Sequence, residues 1–260
     1  MEAVWPTVEG RQERSTEIAI ELGSEERPLL VRITSRHLNP NTGDVGGRHG
    51  YLLFSKEGTV LIDPTEPSPD MRERFDALAA AGGSGPVATV LTSSWHERHA
   101  YRMRERFGAP VWLPRAGVAE KEGEPDHLYD DRSALPGGLR AVTIDDRFAG
   151  DTVLCWAAGS GERVLFGGDV LIGGSGAPGH WRRKAGMHLY MFGARDEERF
   201  LKSFRPLLDE PVDLVCSGHG QPTPFRDDPA GTLRRLINEG VFHPPLPSGL
   251  GTGRSLTLPA

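Results

Sequence analysis

Three short apolar runs in this chain each end on a turn that carries a histidine or an aspartate. Val87–Leu91 leads into Thr92-Ser93-Ser94-Trp95-His96-Glu97-Arg98-His99. Val164–Phe166 leads into Gly167-Gly168-Asp169, and Val212–Cys216 into Ser217-Gly218-His219-Gly220. Runs of this length, closed by serine or glycine, predict buried strands. An α/β scaffold gathers the loops that follow its strands into one cleft. The side chains on these three turns can therefore meet, and imidazole nitrogen with carboxylate oxygen suits zinc, manganese or iron.

The rest of the pattern fits such a scaffold. Glu17–Glu21, Leu29–Ile33, Tyr51–Ser55 and Thr59–Ile62 read as early strands, the last two joined by the turn Lys56-Glu57-Gly58. Met71, Phe75, Leu78 and Ala79 have helical spacing, which predicts a helix over Pro69–Ala81. A second helix is predicted over Glu97–Phe107, stopped by Gly108-Ala109-Pro110 before a strand at Val111–Leu113. Gly117–Pro136 is polar and aperiodic. Strands follow at Leu139–Ile144, Thr152–Ala157 and Arg163–Phe166, then helices at Glu197–Leu208 and Ala230–Glu239 around the strand Val212–Cys216. Hairpins and βαβ units in both halves predict two sheets packed inside helices. One domain over residues 1–242 is expected. Residues 243–260, rich in Pro, Gly and Ser, read as a tail.

Composition narrows the function. The 260 residues are 37% hydrophobic and 25% charged, ordinary for a globular protein. A net charge of −6 argues against a nucleic-acid or anionic-membrane surface, although Trp181-Arg182-Arg183-Lys184 is locally basic. Two cysteines, Cys155 and Cys216, lie in apolar runs and read as buried thiols. The N-terminus lacks a basic region followed by an apolar run, and no stretch reaches the ~18 apolar residues of a span. The expected setting is the cytoplasm, with a small-molecule substrate, no nucleic acid and no membrane; a homodimer is one option for the assembly.

The order of these motifs resembles the metallo-β-lactamase superfamily. Its H-x-H-x-D-H motif, aligned on the last histidine, falls on Ser94-Trp95-His96-Glu97-Arg98-His99. Leu61-Ile62-Asp63-Pro64-Thr65 resembles the family's L-I-D-T-G segment, and Gly108-Ala109-Pro110-Val111 its G-A-P-V strand entry. The family's G-H-T-x-G motif falls on Asp146-Arg147-Phe148-Ala149-Gly150. Asp169 matches the bridging aspartate and His219 the last histidine. The resemblance spans roughly Gly46 to Pro222. It implies a four-layer αββα sandwich of two mixed β-sheets flanked by helices, with a metal site between the sheets.

The same alignment implies a depleted ligand set of His96, His99, Asp169 and His219. Ser94 stands where the first ligand belongs, Arg98 at the aspartate and Arg147 at a further histidine. His96 and Asp169 alone are too few for a first ion, whereas His99, Asp169 and His219 could hold one. The cofactor expected is therefore one zinc, manganese or iron ion, or none. A permanently charged guanidinium repels a cation and pairs well with a carboxylate, so Arg98 or Arg147 could instead hold Asp169. Both also read as ordinary solvated charges.

The leading expectation is a metal-dependent hydrolase of a small ester, thioester, lactone, β-lactam or phosphodiester. There Asp169 and His96 act in catalysis, His96 in water positioning or proton transfer, with Arg98 or Arg147 on an oxyanion or anionic group. Ser94, Arg147 and His188 are the expected substrate contacts. Ser94 also reads as a turn residue, and His188, His180 and His49 as loop histidines. Asp63 reads as structural or as an outer support for the site. The competing expectation is a non-catalytic binding or regulatory protein in which arginines replace the metal. Iron redox chemistry ranks last. Gly173–Met191, with Trp181 and His188, reads as a candidate lid.

Overall fold

The computed structural model describes residues 15–38, 45–83, 85–145, 150–173, 187–189, 197–208, 211–220, 222–224 and 229–239. Strands β1 (Ser15–Gly23), β2 (Pro28–Leu38), β3 (Val45–Ser55) and β4 (Gly58–Ile62) form an antiparallel meander. The sheet continues in parallel through β5 (Pro86–Val90), β6 (Val111–Pro114) and β7 (His127–Tyr129), in the spatial order of the sequence. A second sheet runs β14 (Thr223–Pro224), β13 (Leu214–Ser217), β10 (Arg163–Gly168), β9 (Thr152–Ala157), β8 (Arg140–Thr143). Its β10 and β13 are parallel. A ribbon of β11 (Leu171–Gly173) and β12 (Met187–Leu189) stands apart.

Side-chain alternation explains the layering. In β3 and β4, Leu53, Val60 and Ile62 point one way and Leu52 and Leu61 the other, as a period of two demands. The first set packs against Leu154, Trp156, Val164, Phe166, Leu214 and Cys216 of the second sheet. The second set packs with Val31 and Ile33 against Phe75 and Ala79 of α1 (Arg72–Ala80) and Met103 of α2 (Ala100–Phe107). On the far side Val142, Val153, Leu165 and Val215 meet Phe200 of α3 (Glu197–Ser203), then Phe204 and Leu207, and Leu233 and Leu236 of α4 (Pro229–Glu239). Helix, sheet, sheet, helix is the result, and β4 is buried along its whole length because both faces are covered.

Element boundaries differ from the sequence reading in physical ways. The helix expected from Pro69 begins as a 3₁₀ turn, Pro69–Met71, before α1. The helix expected from Glu97 is a 3₁₀ turn over Ser94–His99 followed by α2. The aperiodic stretch after Gly117 contributes β7, a three-residue edge strand too short to show a period. Cys155 and Cys216 are buried thiols that form no disulfide, as their apolar runs imply. No helix among the described residues is long and apolar enough to cross a membrane. Residues 240–260, and with them the expected tail, lie outside the described residues, as do 174–186 of the expected lid.

Candidate functional site

Four strands end at one place. Asp63 follows β4, Thr92 to His96 follow β5, Asp169 follows β10 and His219 follows β13. Each pair is parallel, so these are carboxyl ends, and backbone bonds stitch the sheets there. His49 N–H donates to Gly218 O at 2.9 Å, Gly218 N–H to Gly168 O at 2.7 Å and Thr152 N–H to Thr92 O at 2.8 Å. Gly168 is obligatory at this junction. Its φ is +48°, and a Cβ there would stand 2.5 Å from Thr92 Oγ1.

His96 is held from behind. Thr92 donates twice to Asp63, from its amide to Oδ1 at 2.8 Å and from its hydroxyl to Oδ2 at 2.5 Å. His96 Nδ1 lies 3.1 Å from both Asp63 Oδ2 and Thr92 Oγ1. The threonine proton is committed to Asp63, so Nδ1 is the donor of this group. Asp63 itself adopts φ 43°, the one non-glycine residue with positive φ among the described residues. That conformation costs about 1–3 kcal/mol and marks a residue whose side chain is held in place by its surroundings.

His219 is held by backbone. Its Nδ1 lies 2.8 Å from Gly47 O. A carbonyl only accepts, so Nδ1 carries the proton and Nε2 faces forward. The two Nε2 atoms then meet one carboxylate oxygen: Asp169 Oδ1 is 3.4 Å from that of His96 and 3.6 Å from that of His219. Oδ1 is buried and accepts no hydrogen bond. At 3.4 Å the approach to His96 is an ion pair rather than a formed hydrogen bond.

Charge in this pocket is set by its contents. Burial pushes His96 down, but attraction to Asp63 and Asp169 outweighs it and holds the ring well above its ordinary pKa. Burial pushes Asp169 up, yet His96, His219 and Arg48 leave its carboxyl below the usual range. His219 is lowered, chiefly by burial and further by Arg48 and His96 against the pull of Asp169. His49 falls to about 3, through burial and the positive charge of Arg32, and is neutral at ordinary pH.

The remaining sequence candidates are dispersed in status. His99 shares the 3₁₀ turn of His96 and is half-buried. Ser94 opens that turn and is buried, as a turn residue would be. Arg98 lies on the same turn and His188 on β12 opposite Ile172, but the side chains of both are outside the described set, as is the whole of Arg147. His49, read as a loop histidine, is instead buried within β3 beside Thr34. Two residues near the site were not singled out. Trp95, between Ser94 and His96, is 39% exposed and is the exposed large hydrophobic side chain among the described residues. Arg48 follows the Gly47 that holds His219, and its charge acts on both Asp169 and His219. Neither carries a local sequence signal, because only β3 packed beneath the His219 turn brings Arg48 there.

Among the described residues, no group of three or more His, Cys, Asp and Glu side chains is placed so as to hold a metal ion. The donor types around Asp169, imidazole nitrogen and carboxylate oxygen, are nevertheless those zinc takes. Ligands about 2.0–2.1 Å from a tetrahedral zinc stand about 3.3–3.4 Å apart, close to the two edges at Asp169 Oδ1. Each histidine also has its Nδ1 tied back, to a carboxylate or a carbonyl, as metal-binding histidines do.

This architecture is the metallo-β-lactamase fold. No protein-family model and no curated protein sequence matches the chain, but solved structures align over most of it. The DIM-1 metallo-β-lactamase, in a crystal exposed to ceftazidime, matches with a TM-score of 0.59 at 15% identity, covering 86% of this chain and 97% of that one. A metallo-β-lactamase from Pontibacter korlensis gives 0.55 at 20% identity, covering 86% and 99%. FIM-1 from Pseudomonas aeruginosa, in a mono-zinc form, gives 0.57 at 11% identity, covering 86% and 96%. At these identities the likeness is one of fold.

Proposed function

We propose that this chain is a hydrolase with a single metal ion held by His96, Asp169 and His219, acting on a small anionic ester, thioester, lactone or related substrate. The observation that carries the reading is Asp169 Oδ1, a buried oxygen without a hydrogen bond that faces the Nε2 atoms of two histidines. Both rings have Nδ1 committed behind them, so with both rings neutral three acceptors converge, an arrangement that a bound cation would satisfy. A divalent ion there would supply the Lewis acidity that makes water nucleophilic near neutral pH. The mono-zinc form of FIM-1 supports a one-ion reading on this fold.

The chain's own groups have separable tasks in this reading. Asp63 fixes the tautomer and direction of His96. Arg48 supplies positive charge that acts on Asp169 and would favour an anionic substrate group, and exposed Trp95, next to His96 in the chain, would offer the substrate an apolar shelf. His99 shares the 3₁₀ turn of His96 and is half-buried there.

One observation favours a second reading, a metal-free binding pocket. The raised pKa of His96 lets an imidazolium between Asp63 and Asp169 balance charge without an ion. Metal analysis separates the two. The hydrolase reading expects about one zinc, manganese or iron per chain, lost in His219→Ala and Asp169→Ala. Metal-free protein whose melting temperature ignores both chelator and added zinc would sink it.

A further inference from the structure

Residues of β1 and β2, remote from the site, reach it through a continuous run of hydrogen bonds, part-buried at Glu21 and buried from Arg32 inward. Glu21 Oε1 on β1 accepts from Arg32 Nε on β2 at 2.7 Å. Arg32 Nη1 donates to Thr34 Oγ1 at 3.0 Å, and that oxygen lies 2.9 Å from His49 Nδ1 on β3. Thr34 and His49 are direct partners in the β2–β3 register. The His49 ring then bonds the backbone of Gly220, while its own amide donates to Gly218 O. His219 lies between those two glycines. Arg32, Thr34 and His49 are 5%, 3% and 5% exposed.

One placement of the protons satisfies every partner in the run. A guanidinium has donors only, so Thr34 Oγ1 accepts from Arg32 and spends its single proton on His49 Nδ1. The neutral His49 ring must then carry its proton on Nε2, and a backbone carbonyl is the partner such a proton needs. Both ring nitrogens are thereby occupied, one as acceptor and one as donor. Fold stability alone does not call for this arrangement, because apolar residues of similar volume usually serve a core at least as well as a buried charged network. Its termination on the two residues flanking His219 gives it another purpose.

We infer that Arg32, Thr34 and His49 form a positioning chain that locks the Ser217–Gly220 turn and so aims His219 Nε2 at Asp169, with His49 a positioning residue and not a ligand or base. The inference rests on the reading of His219 as a metal donor. β3 thus grips His219 twice, through Gly47 O on the ring and through His49 on the backbone either side. His49→Leu keeps bulk but deletes both polar atoms, His49→Gln keeps an N–H for Gly220 O, and Thr34→Val deletes the hydroxyl without changing shape.

The test measures zinc affinity of the full chain by competition with a chromophoric chelator, and ring-nitrogen correlation spectra of the metal-free protein. His49→Leu is expected to bind zinc about 10–100-fold more weakly, the usual cost of losing an outer support. His49→Gln should stay within about threefold of the parent by the same scale. In the spectra, parent His49 should be the Nε2–H tautomer and His219 the Nδ1–H tautomer, with His219 becoming a mixture in His49→Leu. Equal zinc affinity in His49→Leu, or an Nδ1–H tautomer for parent His49, overturns the inference. If the parent binds no zinc, the donor reading of His219 fails, and the spectra alone decide the positioning claim: an unchanged His219 overturns it. Should His49→Leu not fold, Thr34→Val carries the same comparison, with mixed His49 tautomers and weaker zinc binding expected.

Discussion

His96 and His219 present the same atom to the same oxygen, yet they are supported in opposite ways. A carboxylate backs His96, and that carboxylate belongs to a strained residue on the neighbouring strand. A carbonyl backs His219, and the turn around it is tied by backbone bonds to β3, β10 and β11. The first support adds negative charge behind the ring and raises its pKa. The second adds none, and the ring's pKa is lowered. One side of Asp169 is tuned by charge and the other by geometry, so each should fail in its own manner.

The geometric side should break hardest. A Cβ on Gly220, at φ +80°, would stand 1.8 Å from Gly173 O. Left-handed strain together with overpacking makes Gly220→Ala cost about 3–5 kcal/mol, read as the shift in denaturant midpoint. The same substitution at exposed Gly159, where nothing lies within 4 Å of the added carbon, should leave the midpoint nearly unmoved.

Acid should weaken this side next. His49 has a folded pKa of about 3, pushed down by burial and by Arg32, His219 and Arg36 against the pull of Gly220. Unfolded histidine titrates near 6.5, so the unfolded state binds the extra proton as pH falls below that value. The contribution of this group to the stability of the metal-free protein should be fully present above about pH 7 and fall by about 2–4 kcal/mol towards pH 4. Equilibrium unfolding across that range should be visibly flatter in His49→Gln; identical slopes would refute the assignment.

The charge side should yield less stability and more affinity. Asp63→Asn keeps an acceptor for Thr92 and tolerates positive φ well, so a loss of about 1–2 kcal/mol is expected on unfolding. Zinc binding should weaken about 10–100-fold in the same variant. Trp95→Ala lies at the small end: its midpoint should move by less than about 0.5 kcal/mol, while KM rises for any substrate with an apolar body. A destabilised Trp95→Ala would show that the ring packs as core rather than as a shelf.

Much of this was legible in the sequence because it is local. Apolar runs closed by Gly, Ser, His and Asp announced β5, β10 and β13, and the alternation in Leu52, Leu53, Val60, Leu61 and Ile62 matches the two packed faces of one sheet. His96, Asp169 and His219 could be proposed as neighbours because each follows such a run. What depends on strands lying side by side was harder to read. The sequence left Asp63 open between a structural residue and an outer support, and it backs His96 because β4 and β5 are parallel neighbours. His49 is buried only because β3 lies under the His219 turn. The grouping of His99 with Asp169 and His219 came from aligned motifs, whereas the contacts to Asp169 join His96 and His219. Arg98 and Arg147, central to the sequence argument, fall outside the described side chains.

Asp63 carries an implication for how such a site would decay. Its left-handed backbone would relax if glycine replaced it, while the carboxylate behind His96 would vanish. Stability and chemistry therefore pull this position apart, at the one non-glycine residue with positive φ among the described residues. In a lineage released from selection for the reaction, glycine or asparagine should appear here early, with the sheets around it intact. An aspartate persisting at this strained position across related chains would be a molecular record that the pocket is still in use.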